Sequence, residues 1–202
     1  MPSNDGLWFW ERYARIYDLM LNRDRRAYDR VGRLICGEIG PESDLLELAA
    51  GTGLIAQRVG GHCRSYLATD YSEKMLSGAR RKKWPASVSF AWADATNLLY
   101  PDGSFDAVII SNALHIMPDP AAALKNIRRV LREGGRLIAP TFVRYGTKKE
   151  SLLDKPMRRF GFRSFSNWSP TEYFAFLEQN GWRVVKSEII PAGFDIAFAV
   201  AE

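Results

Sequence analysis

The chain has 202 residues, 47% hydrophobic and 25% charged, a length and balance that suit one globular domain over 1–202 rather than two. No run approaches the roughly 18 consecutive apolar residues of a membrane span, and the N-terminus lacks the order of a secretory signal, so a cytoplasmic protein is expected. Cys36 and Cys63 form no CxxC pair and stand near one histidine only, His62, which leaves no disulfide framework and no zinc site; no metal is expected. The net charge of +5 is spread over short runs at 23–26, 80–83 and 158–159. No nucleic-acid motif accompanies them, so a solvated surface explains each run and nucleic acid is a disfavoured partner.

Residues 1–43 read as a helical N-terminal cap rich in Trp8, Phe9, Trp10, Tyr13 and Tyr17. From residue 44 short apolar runs alternate with amphipathic stretches, the rhythm of a parallel sheet covered by helices. The pattern predicts strands near 44–49, 65–69, 87–92, 105–111, 135–142, 183–190 and 194–201. A helix over 72–83 opens on a capping Ser72 with Glu73 in its first turn and closes on four basic residues. A second, over 119–132, has Asp119 as cap, Pro120 at its first position, an apolar stripe of Leu124, Ile127 and Leu131, and Gly134 to end it. Residues 143–168 are polar, basic and aromatic without clear period, and read as an insertion on the substrate side.

The feature that carries chemistry is LLELAAGTGLIA at 45–56. Gly51 and Gly53 let the backbone turn sharply and let a ligand approach the main chain. GTGLIA also satisfies the dinucleotide pattern GxGxxG/A, with Asp70 downstream to hold a ribose, so an NAD-dependent oxidoreductase is an alternative. Against it stands Glu47, a carboxylate at a strand end where a dinucleotide fold has an apolar residue. Charge there suits a ligand with an ammonium group. Asp94, ending the third strand in FAWADA, can accept a hydrogen bond from an adenine amine. Acidic residues at three successive strand ends describe a nucleoside carrying a charged amino acid.

With these residues in view, the chain resembles the class I S-adenosylmethionine-dependent methyltransferases, especially the branch of quinone-biosynthesis and bacterial phospholipid N-methyltransferases. The resemblance spans most of 11–201: YARIYD at 13–18, LLELAAGTG, LATDYSEKML at 67–76, WADATNLLYPDGSFDAVIISNALH at 92–115, LREGGRLIAP at 131–140 and SPTEYFAFLEQNGW at 169–182. It implies a Rossmann-like α/β fold, a seven-stranded mostly parallel sheet with helices on both faces and an antiparallel last strand. It implies S-adenosyl-L-methionine as cofactor, with Glu47 and the Gly51–Gly53 loop on its methionine part, Asp70 on the ribose, Tyr71 and Met75 beside the adenine face, and Asp94 with Ala95 at the adenine edge. The family loop begins with a third glycine; here Ala49 replaces it, and alanine follows the same path only with a negative φ.

Methyl transfer from a sulfonium asks mainly for alignment and exclusion of water, with a base needed only for acidic or protonated acceptors. Asn112 and His115 follow the fourth strand, where strand ends form the ligand crevice. Asn112 is expected to shape the cofactor's methionine end. His115 is the candidate base or acceptor contact, weighed equally against a packed, hydrogen-bonded ring. Tyr17, one turn after Tyr13, is the second candidate at the reacting end, against a plain core stripe. An RNA base methyltransferase using the basic segment 144–163 is a further alternative, although SNALHIMPD at 111–119 lacks the amino-directed signature. The expected acceptor is a small or amphiphilic molecule held between 1–20 and 143–168, which leaves peripheral membrane contact open.

Overall fold

The computed structural model describes residues 24–144 and 166–202. Helix α1 (Arg25–Cys36) buries Ala27, Tyr28, Val31, Leu34 and Ile35 along one face, the helical spacing of a cap laid on a sheet. It is followed by β1 (Asp44–Leu48), the short α2 (Ala56–Val59), β2 (Ser65–Asp70), α3 (Glu73–Arg80), β3 (Val88–Trp92) and β4 (Phe105–Ile110). Then come α4 (Pro120–Val130), β5 (Leu131–Ile138), β6 (Thr141–Val143), α5 (Pro170–Gln179), β7 (Val184–Ile190) and β8 (Asp195–Ala201).

Helix starts follow the sequence signals. Ser72 accepts from Met75 N–H at 3.3 Å, and Asp119 accepts from Ala122 N–H at 2.9 Å with Pro120 just inside. Ser169 and Glu172 form a reciprocal capping box on α5. Helix ends follow less well. Helix α4 stops at Val130, and Gly134, expected to end it, lies within β5 at φ +73°. There Leu131 pairs with Phe105 and Arg136 with Ala107, so six residues of β5 face three of β4 and the glycine serves a bulge.

The strand order is β3-β2-β1-β4-β5-β8-β6, with β7 also pairing β8. Pairs among β1 to β5 are parallel, and β8 runs antiparallel to its neighbours. The sheet counts eight strands where seven were expected, because the predicted strand 135–142 breaks at Ala139–Pro140. Its two pieces follow one edge of β8: Leu137 and Ile138 pair with Ala201 and Val200, while Thr141 to Val143 pair with Ala197 to Asp195. Proline has no N–H to give a ladder, which accounts for the break.

Alternate strand residues feed two cores. Leu46, Leu48, Val108, Ile110, Ala197 and Ala199 pack with α4 and α5 on one face. Leu45, Tyr66, Ala68, Ala107, Ile109, Phe198 and Val200 pack with α1 and α2 on the other. The chain crosses from β1 outward to β2 and β3, then back to β4 on β1's other side. That reversal opens a crevice above the carboxyl ends of β1 and β4, the usual ligand position in an open α/β sheet.

Candidate active site

Glu47 lies one residue before the end of β1, on the same face as Leu45, and is only 1% exposed. Its carboxylate accepts from the Tyr66 hydroxyl at 2.9 Å. Burial pushes its pKa up to about 8; the Tyr66 hydrogen bond opposes that rise and the charge of Asp70 adds to it. Beyond β1 the backbone turns through left-handed residues at Ala49 (φ 54°), Gly51 (φ 57°) and Gly53 (φ 85°). The expectation of a negative φ at Ala49 is therefore corrected: alanine follows the glycine path in the left-handed region, at a cost of about 1–2 kcal/mol. A Cβ on Gly51 would meet open space, whereas one on Gly53 would lie 2.4 Å from the Trp84 ring.

The loop is tied to β2. Ala50 N–H donates to Thr69 O at 2.8 Å, and Gly51 N–H donates to Asp70 Oδ2 at 2.7 Å. The other oxygen of Asp70 accepts from Ser72 N–H at 2.8 Å. Burial raises the Asp70 pKa to about 6, against the pull of the Ser72, Gly51 and Tyr71 amides. Among the described residues no basic side chain pairs with Glu47 or Asp70. Two carboxyl groups at one sheet edge, neither paired with a basic side chain among the described residues, make a place for a cationic ligand.

The neighbouring residues extend the edge sideways. Tyr71 is 40% exposed, its ring 5.3 Å from that of Trp92, and Trp92 Nε1–H donates to Tyr71 O at 2.9 Å. Asp94 Oδ1 accepts from both the N–H and the hydroxyl of Thr96, a local turn that fixes the carboxylate at the end of β3. Ala95 and Met75 are buried, at 9% and 2% exposure, Met75 on α3 behind the Asp70 turn.

Past β4, Asn112 also takes a left-handed backbone (φ 51°). Its N–H donates to Pro140 O and its Nδ2 to the Tyr28 hydroxyl at 2.8 Å. His115 is 6% exposed; its Nδ1 lies 3.0 Å from Thr141 Oγ1 and its ring packs edge-on against Phe142. Burial lowers its pKa to about 4, so the imidazole is neutral at physiological pH. Glu47, Ala49, Gly51, Gly53, Asp70, Tyr71, Asp94, Ala95 and Asn112 thus stand along one sheet edge with Met75 behind it. Tyr17, the aromatic run before it and residues 145–165 lie outside the described residues. Tyr66, Tyr28, Trp92 and Thr141 went unread in the sequence. A tyrosine on a buried strand beside the expected Glu47 strand was the one available hint; the others are brought in by tertiary contacts alone.

Residues 46–139 match the family model of a methyltransferase domain. A demethylmenaquinone methyltransferase of Mycobacterium sp. (strain JLS) is 34% identical over 174 residues, covering 82% of this chain and 74% of that protein. Among solved structures, DhpI in its complex with SAH is 25% identical with a TM-score of 0.75, covering 98% of this chain and 95% of that one. A chain from the complex between a Haloferax volcanii methyltransferase activator and a putative methyltransferase has a TM-score of 0.78 at 18% identity, with 96% of each chain covered. At that identity the likeness shows the fold alone.

Proposed function

The chain belongs to the class I S-adenosylmethionine-dependent methyltransferases, and from that premise we propose that it methylates a ring carbon of a demethylmenaquinone-like aromatic acceptor. The observation that carries this reading is the length of the similarity to the demethylmenaquinone methyltransferase: its 174 residues reach well beyond the methyltransferase domain at 46–139. Acceptor choice resides in the segments outside the regular sheet, so similarity that extends there bears on the acceptor.

When bound, S-adenosyl-L-methionine supplies a methyl group activated on a sulfonium. Glu47 and the Ala49–Gly53 loop hold its methionine part, Asp70 the ribose, Tyr71 with Met75 the adenine face, and Asp94 with Ala95 the adenine edge. The uncompensated carboxylates of Glu47 and Asp70 fit a cofactor that brings positive charge. Asn112 fixes the methionine end. His115, neutral and hydrogen-bonded to Thr141, orients the acceptor without storing a proton, because a group that ionises near pH 4 is a weak base at neutral pH. Methylation forms a carbon–carbon bond at the ring, breaks the carbon–sulfur bond of the cofactor and releases the displaced ring proton to solvent.

Incubating the full chain with methyl-labelled cofactor and a reduced, short-chain demethylmenaquinone analogue tests the reading. The expected result is a labelled ring product one methyl group heavier by mass spectrometry. Label entering bulk RNA while the quinol stays unlabelled overturns it.

A further inference from the structure

Asn112 is held at several points, and one of its atoms is left over. Its left-handed backbone is fixed by the bond to Pro140 O, and its Nδ2 is fixed by the Tyr28 hydroxyl. Both side chains are buried, at 7% and 1% exposure. Oδ1 is buried as well and has no hydrogen-bond partner among the described residues. A buried carbonyl oxygen without a donor costs on the order of 1–3 kcal/mol, and native proteins seldom leave one without a purpose.

Its place in the sheet points to the donor that completes it. Leu48, the last residue of β1, pairs with Ile110, the last of β4, so the loop that begins at the strained Ala49 and the segment that carries Asn112 leave neighbouring parallel strands at the same sheet edge. Among the described residues Glu47 and Asp70 have no cationic partner at this edge. An N–H group carrying positive charge supplies a donor for the orphan oxygen and a counter-charge for Glu47.

We propose that Tyr28 is a positioning residue for the cofactor: its hydroxyl fixes the Asn112 amide, and the amide oxygen so fixed accepts a hydrogen bond from the cofactor's ammonium group. This rests on the cofactor placement given under the proposed function. Tyr28 acts through Asn112 and not by contact with the cofactor. It also makes the buried face of α1 part of the binding machinery, since without the hydroxyl the amide is free to rotate.

Calorimetry on the full chain with two ligands tests this. S-adenosylhomocysteine carries the ammonium group, and 5′-methylthioadenosine lacks the whole amino-acid part. Tyr28→Phe is expected to weaken the first by about tenfold, the loss of one well-placed hydrogen bond to a charged group, and to leave the second unchanged. Asn112→Ala is expected to do the same, and the double variant to be no weaker than Asn112→Ala alone. Should Tyr28→Phe fail to fold by circular dichroism, Tyr28→Trp keeps a buried ring that cannot accept from Nδ2 and is expected to show the same selective loss. Equal weakening of both ligands, unchanged affinity for S-adenosylhomocysteine, or additive losses in the double variant overturns the proposal. A wild-type chain that binds neither ligand overturns the cofactor placement itself, an outcome distinct from the others.

Discussion

The two ends of strand β1 hold their charges in opposite ways. At its start, Asp44 bonds to the Arg64 guanidinium, accepts from Ser65 Oγ at 2.7 Å and pairs with Arg132 at 3.0 Å. Arg132 also reaches Asp106 at 2.6 Å. Further along the same sheet edge Glu38 takes Arg136 and Lys186 at 2.7 and 2.6 Å. The Arg64 guanidinium, first among these partners, holds the Asp44 carboxyl well below the usual carboxylate range. Three residues on, Glu47 is buried without a cation among the described residues, and its pKa rises to about 8. The two non-glycine residues with positive φ among the described ones, Ala49 and Asn112, both stand at the Glu47 end. One edge is completed by the chain itself. The other carries a buried carboxyl group with no cation among the described residues and strained backbone, and such features persist where a ligand completes them.

The largest effect is expected where the loop and the ligand share one carboxylate. Asp70→Ala removes the acceptor for Gly51 N–H and Ser72 N–H together with the charge-assisted bond to the ribose proposed for it. Affinity for S-adenosylhomocysteine is expected to fall by about 10- to 100-fold, the effect of roughly 1.5–3 kcal/mol. Calorimetry returning the wild-type affinity would remove Asp70 from the cofactor site.

Next in size is the pH response of Glu47. Its folded pKa of about 8 lies above the ordinary 4.5, so the folded chain holds an extra proton between those values. The associated stability is fully present below about pH 4.5 and is lost as pH rises through 8. Apo stability is therefore expected to decline across that window by a few kcal/mol, at about 1.4 kcal/mol per pKa unit less relaxation. Glu47→Gln should flatten the decline. A cationic cofactor favours the ionised carboxylate, so binding at pH 7 is expected to release a proton, seen as a dependence of the calorimetric heat on buffer ionisation. Urea titrations from pH 5 to 8 with identical slopes for wild type and Glu47→Gln would contradict this account.

How much of this contrast the sequence carried depends on the range of the interaction. Strand positions, the caps at Ser72 and Asp119, and the acidic strand ends were legible because they are local patterns with a direct physical cause. The split of the fifth strand was signalled by Pro140, but its outcome depends on β8, which is distant in sequence. The αL state of Ala49 ran against alanine's own preference, and the surrounding loop bonds to Thr69 and Asp70 decided it. Tyr28 carried no local signal; only the fold brings it to Asn112, 84 positions away.

A smaller effect, confined to the opposite edge, is expected from Asp44→Asn. Its contribution is present above the ordinary carboxylate value of 3.8 and is lost as pH falls below it. At pH 7 the variant keeps the shape and loses the charge that two guanidinium groups face, which costs about 1 kcal/mol for a pair near the surface. Affinity for S-adenosylhomocysteine is expected to stay at the wild-type value. A change in that affinity would mean that the two edges are coupled and that their separation is wrong.

The smallest effect concerns strain alone. Ala49 sits at φ 54°, where an L side chain costs about 1–2 kcal/mol relative to the right-handed region. Ala49→Gly removes that cost but gives the unfolded chain more freedom, worth about 0.4–1 kcal/mol in the other direction. The net expectation is a gain of about 0.5 kcal/mol, an upward shift of the apo melting temperature by a degree or two for a chain of this size. Ala49→Val supplies the control, since a β-branched residue is poorly tolerated at positive φ and should lower the melting temperature markedly. If strain at this edge is relieved by the glycine without altering the loop, cofactor affinity stays the same or rises slightly. A lowered melting temperature for Ala49→Gly would show that the alanine methyl contributes more through its packing against Leu46, Leu48 and their neighbours than its backbone costs, and the left-handed turn would then be no liability at all.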